Sequence, residues 1–257
     1  MNAIIGVSLK MYFSHEQTLD YCRELGDLAL GSASVSSGAT QLVVMPQFPS
    51  LPGAREALQP SRIEVGAQDL AAHDSGAYTG EVSGSVLAEI GCRHVEVGHA
   101  ERRRMFGETP EVVAAKTRAA LRNGLIPWLC IGEAEQATPD RAAVDCLEQV
   151  GAAVAGATDQ GRLVLAYEPH WAIGAPRPAP TEYIVQVCHA IRDGLADAAS
   201  QGLDVAIVYG GSAGPGLLTE LGTAVDGVFL GRFAHHPRAV GDVIAEAADR
   251  PHAPIGS

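Results

Sequence analysis

The chain has 257 residues, with 30 acidic against 18 basic side chains and a formal net charge of −12. This length suits one large domain or two small ones, and an acidic chain with no basic stripe is not expected to bind nucleic acid. The cysteines are odd in number and follow no CxxC or Cys/His metal spacing. They are Cys22, Cys92, Cys130, Cys146 and Cys188. We therefore expect reduced thiols, a cytoplasmic protein and no metal site.

The sequence contains no sign of a membrane protein. No apolar run approaches the roughly 20 residues of a transmembrane helix. Lys10 follows the first apolar stretch rather than preceding it, which is not the order of a secretory signal peptide. We expect no membrane partner.

Apolar, strand-like runs alternate with helical segments from one end of the chain to the other. The predicted strands are 3–9, 41–45, 63–67, 94–97, 126–131, 163–167, 205–209 and 227–230. The predicted helices include 16–30, 110–123, 141–155, 181–199 and 237–248. Eight strands alternating with helices in about 250 residues predict a closed (β/α)8 barrel, as a single domain over residues 1–257. A doubly wound open sheet is the alternative.

The stretch 163–174 holds the strongest local signal for chemistry. A short apolar run ends at a single acid, Glu168, and Pro169 prevents the strand from continuing. A small apolar loop follows and ends at Gly174. A carboxylate at the end of a strand, beside such a loop, suits a general base under a lid. A merely solvated strand-end glutamate is the other reading of this stretch alone.

The other predicted strands also end in glycines or in residues capable of chemistry. In strand order these are Lys10, Gln68, His99 with Glu101, Gly132 with Glu133, Gly210 with Gly211 and Ser212, and Gly231 with Arg232. Catalytic groups of a (β/α)8 barrel lie at the carboxyl ends of its strands. We therefore expect one site that combines these residues with Glu168. Taken singly, Lys10 could be a solvated loop lysine and His99 a core histidine.

Together these segments resemble the triosephosphate isomerase family. The matching segments are 10–11, 65–68, 76–81, 97–103, 130–133, 166–174, 209–212 and 225–227, in the family's order along essentially the whole chain. Two of them are specific. These are Glu-Pro-x-Trp-Ala-Ile-Gly at 168–174 and Gly-His-x-Glu-Arg-Arg at 98–103.

The resemblance implies an intramolecular oxidoreductase of carbohydrate metabolism that needs no metal or organic cofactor. Glu168 would be the base that moves a proton between adjacent carbons of a phosphorylated hydroxycarbonyl. His99 would polarise the carbonyl, and Lys10 would supply positive charge to the enediolate. Glu101 would be a supporting acid. These roles come from the resemblance and not from spacing alone.

The resemblance also implies a phosphate site and a second subunit. Backbone N–H groups of Gly174, Ser212, Gly231 and Arg232 would hold the phosphate, since glycine-rich turns form such anion sites. A lone Gly-Gly-Ser is more often only a turn. Thr79 matches the tip of the family's dimer loop, which implies a homodimer; an ordinary surface loop is the alternative.

The chain departs from the family pattern close to the expected site. The family's Asn-Trp-Lys is Ser8-Leu9-Lys10, and the usual Ser after the catalytic His is Ala100. The usual Val after Glu-Pro is His170, and the usual Thr-Gly-Lys-Thr-Ala of the lid is Ala-Pro-Arg-Pro-Ala at 175–179. Two prolines restrict the torsions of a lid hinge. Arg232 replaces a glycine, and its guanidinium could reinforce the phosphate site or point to solvent.

The change of Asn to Ser8 bears most directly on the substrate. It removes volume and an amide beside the reacting carbons and makes room away from the phosphate. One added hydroxymethyl group turns dihydroxyacetone phosphate into L-erythrulose 1-phosphate, and the same base would convert that to D-erythrulose 4-phosphate. The pattern also resembles the tetrulose-phosphate branch of the family, and we favour that substrate.

Three other functions stay open at this stage. One is an ordinary triosephosphate isomerase with a drifted site. Another is an inactive barrel that binds a sugar phosphate as a sensor, although such a binder has no evident need for a base. A different phosphate-binding barrel, such as a synthase, rests on fold analogy alone.

Overall fold

The computed structural model describes residues 3–157, 161–195 and 204–250, and within them eight parallel strands close into a barrel in chain order. The strands are β1 (Ala3–Ser8), β2 (Thr40–Met45), β3 (Glu64–Ala67), β4 (His94–Val97), β5 (Ile126–Ile131), β6 (Arg162–Tyr167), β7 (Asp204–Tyr209) and β8 (Gly227–Leu230). Residues Ile4–Val7 of β1 pair with Gly227–Leu230 of β8, which closes the barrel. The predicted (β/α)8 barrel is confirmed, and the open-sheet alternative is excluded.

Helices surround the strands. They are α1 (His15–Leu30), α2 (Ala33–Ser37), α3 (Leu51–Leu58), α4 (Gly84–Glu89), α5 (Ala100–Phe106), α6 (Pro110–Arg122), α7 (Pro139–Val154), α8 (Thr181–Gly194), α9 (Leu217–Leu221) and α10 (Pro237–Ala248). Short 3₁₀ turns cover Phe48–Ser50, His170–Ala172, Gly222–Ala224 and Arg232–His235. Within the described ranges, none of these helices is long and apolar enough to cross a bilayer.

The predicted bounds are close, and side-chain caps explain the main difference. The helix predicted at 141–155 begins at Pro139, because the Thr138 side chain accepts a hydrogen bond from the Arg141 backbone N–H. The helix predicted at 110–123 is α6, whose first turn is capped in the same way by Thr109. The helix predicted at 181–199 is described to Gly194, and 196–199 lie outside the described residues.

The barrel interior is filled by side chains from alternate positions of the strands. Trp128 of β5 is fully buried there, and Gly6 of β1 makes room for it: a Cβ at Gly6 would lie 2.3 Å from Trp128 Cζ3. Trp128 Nε1 donates to His94 Nδ1 at 3.0 Å, and His94 Nε2 lies 3.1 Å from Glu64 Oε2. His94 and Glu96 bring polar groups into this otherwise apolar interior.

Candidate active site

A cavity of about 390 Å³ opens at the carboxyl ends of the strands. Its lining includes every residue to which the sequence assigned a part in catalysis or substrate binding: Ser8, Lys10, His99, Glu101, Glu168, Gly174, Ser212, Gly231 and Arg232. Of the other strand-end residues expected at the site, Gly210 lines the cavity, whereas Gln68, Gly132, Glu133 and Gly211 do not. Thr79 is outside the lining, on an exposed loop. Strand direction explains the convergence, because parallel strands of a closed barrel all end at one rim. No group of three or more His, Cys, Asp or Glu in the described ranges is arranged to hold a metal.

Lys10 has a strained backbone that places its amine in the cavity. Its φ is +46°, a left-handed conformation that non-glycine residues seldom adopt. Gln68 Nε2 holds this turn by donating to Lys10 O at 3.0 Å and to Met45 O at 2.8 Å. Lys10 Nζ donates to Glu101 Oε1 at 2.6 Å. Burial alone would lower the pKa of Lys10, but the bond to Glu101 and nearby carboxylates raise it, so the amine is cationic at neutral pH.

Glu101 is the anionic partner of this pair. Burial works to raise its pKa, but the hydrogen bond and charge of Lys10 hold the pKa below its ordinary value. The lowered pKa and the bond to Lys10 make Glu101 a weak base, and its structural partner is the Lys10 ammonium.

His99 follows β4 and is the residue before helix α5. Its Nδ1 accepts a hydrogen bond from the Glu101 backbone N–H at 3.1 Å. An accepting Nδ1 carries no proton, so the ring is neutral and its proton is on Nε2. His99 Nε2 lies 3.5 Å from Glu168 Oε2. The imidazole therefore points a neutral N–H donor into the cavity beside the carboxylate.

Glu168 stands directly after β6 and is 5% exposed. Its backbone N–H donates to Ile131 O at 2.8 Å, which extends the β5–β6 ladder to the base. Gly210 leaves the space that the side chain occupies, because a Cβ there would lie 2.5 Å from Glu168 Oε1. Among the described residues, Glu168 Oε2 has no hydrogen-bond partner. A buried carboxylate oxygen left open toward a cavity suits a base that accepts a proton from carbon.

The lid that follows Glu168 is held at its start by Glu133, which the sequence placed among the strand-end residues of the site without a specific role. Trp171 Nε1 donates to Glu133 Oε1 at 2.7 Å, and Tyr183 Oη donates to the same oxygen at 2.9 Å. The His170 backbone N–H donates to Glu133 O at 3.0 Å. At the other end of the lid, the Ala179 backbone N–H donates to Tyr209 Oη at 3.1 Å. Glu133, which follows β5, thus fixes the start of the lid, and the Tyr209 hydroxyl on β7 fixes its end.

Residues after β7 and β8 contact the middle of the lid. Ser212, with a φ of +56°, has its Oγ 3.0 Å from Ala172 O and 3.1 Å from Ala175 O. Arg232 Nη2 donates to Gly174 O at 3.0 Å. The guanidinium therefore binds the lid backbone, an arrangement that neither sequence-based reading of Arg232 included. Gly174, Gly231 and Arg232 all line the cavity.

His170 lies on the lid and lines the cavity together with His99. Burial, reinforced by the positive charge of Arg103, lowers the pKa of His170 below its ordinary value. The imidazole is therefore neutral at pH 7. A neutral ring at this position narrows the cavity without adding charge near the base.

Glu96 lies next to the site, outside the cavity lining, and was not predicted from the sequence. It is 3% exposed and faces the barrel interior beneath Ser8 and Lys10. Its signal in the sequence was a lone acid inside a short apolar strand, at a position whose side chain must point inward.

Comparisons with known proteins show the family to which the chain belongs. A family profile described as Triosephosphate isomerase matches residues 3–247. The L-erythrulose-1-phosphate isomerase of Pectobacterium atrosepticum is 52% identical over 246 residues, which cover 95% of this chain and 95% of that protein. The triosephosphate isomerase of Alkalilimnicola ehrlichii is 43% identical, covering 87% and 92%, and that of Thermus thermophilus is 41% identical, covering 75% and 80%. By profile, identity and coverage, this chain belongs to the triosephosphate isomerase family.

Proposed function

We propose that this protein is a sugar-phosphate isomerase that converts L-erythrulose 1-phosphate to D-erythrulose 4-phosphate. The observation that carries the proposal is the similarity to the Pectobacterium enzyme, a protein named for that substrate, at 52% identity over 95% of both chains. The fold, the cavity and the polar groups inside it are those that such a reaction needs. The role would be in the breakdown of tetritols.

The reaction is a proton transfer between neighbouring carbons. Glu168 removes the proton from C3 of the ketose, and the electrons of the C3–H bond form a C2–C3 enediolate. The charge develops on the C2 oxygen, where the Lys10 ammonium and the neutral His99 N–H stabilise it. A proton moves between the two oxygens by way of His99, and Glu168 returns its proton to C2. The carbonyl is then on C3, which is C2 of the product in its own numbering.

The small side chain of Ser8 is an argument for a four-carbon substrate rather than a triose. It lines the cavity next to Lys10 and is smaller than the asparagine that the family places there. Replacing the amide by the smaller hydroxymethyl side chain of Ser8 leaves space beside Lys10, close to the reacting carbons. A hydroxymethyl group on C3 would occupy that space.

Interconversion of glyceraldehyde 3-phosphate and dihydroxyacetone phosphate is the second candidate. It is favoured by relatives named triosephosphate isomerase, among them the 43% identical protein of Alkalilimnicola ehrlichii. The same Lys10, His99 and Glu168 would serve that reaction. Only the end of the cavity at Ser8 distinguishes the two substrates.

A sensor barrel without activity is the third candidate, and the geometry argues against it. A binding protein would have no need for a buried carboxylate whose Oε2 is unpartnered among the described residues. It would also have no need for a strained lysine, since strain of this kind is kept where function requires it.

A homodimer is part of the proposal. The loop that carries Thr79 is exposed, and Tyr78 beside it stacks on His73 with 4.5 Å between ring centroids. Large apolar side chains are exposed on the segments that follow β1, β3 and β4. They are Met11, Tyr12, Tyr78, Val86, Met105 and Phe106. A second copy of the chain would cover such side chains.

We also propose a reducing, cytoplasmic setting. All five cysteines are buried and unpaired. Burial raises the pKa of Cys22 to about 12 and that of Cys92 to about 11, so neither thiol is reactive at neutral pH. This chemistry is that of structural thiols in a protein that does not use disulfides.

The reaction is tested by incubating the purified protein with L-erythrulose 1-phosphate in D₂O and following ¹H and ³¹P spectra. We expect a single new phosphate monoester, D-erythrulose 4-phosphate, with solvent deuterium on the carbon that receives the proton. A substrate spectrum unchanged after long incubation at high protein concentration would reject the proposed reaction.

A further inference from the structure

Glu96 occupies a position where a carboxyl group is costly. It lies on β4, whose side chains alternate between the two faces of the strand: Val95 and Val97 pack outward against the helices. Glu96 points inward, and the interior around it is formed by apolar side chains such as Met45 and Cys130. An ionisable group in such surroundings is unfavourable unless it is neutral or hydrogen-bonded.

The carboxyl group of Glu96 is neutral at pH 7. Burial raises its pKa to about 8, and the negative charge of Glu168 adds to the shift. The Ser8 hydroxyl and the Lys10 ammonium act in the opposite direction but do not outweigh burial. A protonated carboxylic acid is both a hydrogen-bond donor and an acceptor.

Ser8 lies between this carboxyl group and the cavity. It lines the cavity, whereas Glu96 does not, and its hydroxyl is close enough to the Glu96 carboxyl to influence it. Ser8 is 3% exposed. Neither Ser8 Oγ nor Glu96 Oε1 has a partner at full hydrogen-bond geometry among the described residues. Two buried, adjacent polar atoms are thus left with hydrogen-bonding capacity just behind the cavity wall that Ser8 helps to form.

We propose that Ser8 and Glu96 form a hydroxyl-binding pair that recognises the terminal hydroxymethyl group of the four-carbon substrate. Ser8 Oγ contacts the substrate hydroxyl, and Glu96 acts through Ser8 as a positioning residue that fixes the direction of the serine hydroxyl. The inference rests on the proposed function and adds the element that separates a tetrulose from a triose. A triose phosphate lacks this group and leaves the pair unsatisfied, which disfavours it.

The test compares kcat/KM on L-erythrulose 1-phosphate and on glyceraldehyde 3-phosphate for four variants: Glu96→Leu, Glu96→Gln, Ser8→Ala and Val43→Ala. Glu96→Leu keeps the approximate volume and removes the hydrogen bonds. We expect the ratio of the two kcat/KM values to shift about tenfold or more toward the triose, mainly through KM for the tetrulose. Glu96→Gln keeps a donor and an acceptor and should restore most of the ratio. Ser8→Ala should shift the ratio in the same direction as Glu96→Leu.

Val43→Ala is the matched control, because Val43 belongs to the same buried interior and carries no polar group. It removes volume and should leave the ratio of the two substrates as it is in the wild type. A purely structural role for Glu96 would lower both kcat/KM values in proportion, which would overturn the proposal. Unfolding temperatures of all variants identify any that do not fold, and Ser8→Ala then carries the test in place of Glu96→Leu.

Failure of the proposed pair of Ser8 and Glu96 can be distinguished from failure of the proposed isomerase function. Wild-type protein that does not turn over L-erythrulose 1-phosphate rejects the function itself, and the pair with it. The wild-type protein could instead prefer the tetrulose, with Glu96→Leu and Ser8→Ala both keeping that preference. This result would reject only the proposed role of Ser8 and Glu96.

Discussion

His99 Nε2 lies 3.5 Å from Glu168 Oε2, although the two residues are carried by different strands of the barrel. Because His99 Nδ1 accepts the Glu101 backbone N–H, the Nε2 atom carries the ring's single proton. A neutral N–H donor and a carboxylate therefore face the same space. Proton transfer between adjacent carbons needs this combination, a base for the C–H proton and a donor for the oxygen that becomes negative.

Glu168→Gln tests the base. The amide keeps the volume of the side chain but does not accept a proton from carbon, so we expect kcat to fall about 10²- to 10⁴-fold. Inhibition by inorganic phosphate should change little, since the expected phosphate site is formed by other residues. Steady-state kinetics with phosphate as a competitor measures both. Glu182→Gln, on an exposed position of α8, is the control. Turnover retained in Glu168→Gln would assign the base to another residue.

Gly210→Ala tests how closely the base must be positioned. The added Cβ would lie 2.5 Å from Glu168 Oε1 and 2.8 Å from its Cγ, so the side chain must move. We expect kcat to fall on the order of 100-fold, because a displacement near 1 Å has that effect on an aligned catalytic group. Gly151→Ala is the control: among the described residues, no atom beyond its chain neighbours and the adjacent backbone of α7 lies within 4 Å of the added Cβ, and α7 should be stabilised slightly. Wild-type kinetics in Gly210→Ala would contradict the assigned position of Glu168.

Arg232→Met tests the contact between the β8 loop and the lid. It removes the hydrogen bond to Gly174 O but keeps an unbranched side chain. The bond is exposed, so its contribution is modest, and we expect KM to rise about 2- to 10-fold with a smaller change in kcat. Arg238→Met, also exposed and at the start of α10, should behave as the wild type. Equal KM values in the two variants would mean that the bond from the guanidinium to the lid backbone does not contribute to substrate binding.

The burial of Glu96 predicts that protein stability depends on pH, in addition to its predicted effect on substrate specificity. Its pKa is about 8 in the folded protein and near the ordinary 4.5 when unfolded, so the folded state holds the proton more tightly. Its contribution to stability is therefore fully present below pH 4.5 and is lost progressively as the pH rises to 8. Glu96→Gln removes this dependence. Relative to the wild type, the variant should become more stable by a few kcal/mol between pH 5 and pH 9.

Urea unfolding of both proteins at pH 5 and pH 9 measures this difference. The groups that act on Glu96 are Ser8, Lys10, Glu101 and Glu168, and all four are unchanged in the variant. Glu89→Gln, at an exposed position on α4, is the control and should follow the wild type at both pH values. A difference between Glu96→Gln and the wild type that is equal at pH 5 and pH 9 would show that Glu96 is not protonated on folding.

The fold and the convergence of the site could be predicted because they depend on chain order. Eight alternating apolar runs define the barrel, and the polar residue after each run must reach the same rim. Lys10, His99 and Glu168 meet in the structure for this reason. Helix α5 could not be predicted in the same way, because it has seven residues, three of them consecutive arginines, and buries none of its side chains. It therefore lacks the apolar periodicity that indicates a helix.

Contacts between segments that are distant in the chain could not be predicted from the sequence. Glu133 is a strand-end acid like several others, and its bond to Trp171 depends on where the lid folds back. Arg232 was expected at the phosphate or in solvent, but its guanidinium meets the Gly174 carbonyl, 58 positions away. Glu96 could have been noticed, because an acid at an inward position of a barrel strand is unusual. Its relation to Ser8 depends on how β1 and β4, which are not neighbouring strands, direct these side chains into the same barrel interior.

The most direct test of the central claim is kcat/KM of the purified wild-type protein on L-erythrulose 1-phosphate and on glyceraldehyde 3-phosphate, measured side by side. The small side chain of Ser8, together with the proposed pair of Ser8 and Glu96, predicts at least a tenfold preference for the four-carbon ketose. A preference for the triose would contradict the proposed substrate and would make this protein a triosephosphate isomerase in which Ser8 and the altered lid are tolerated changes.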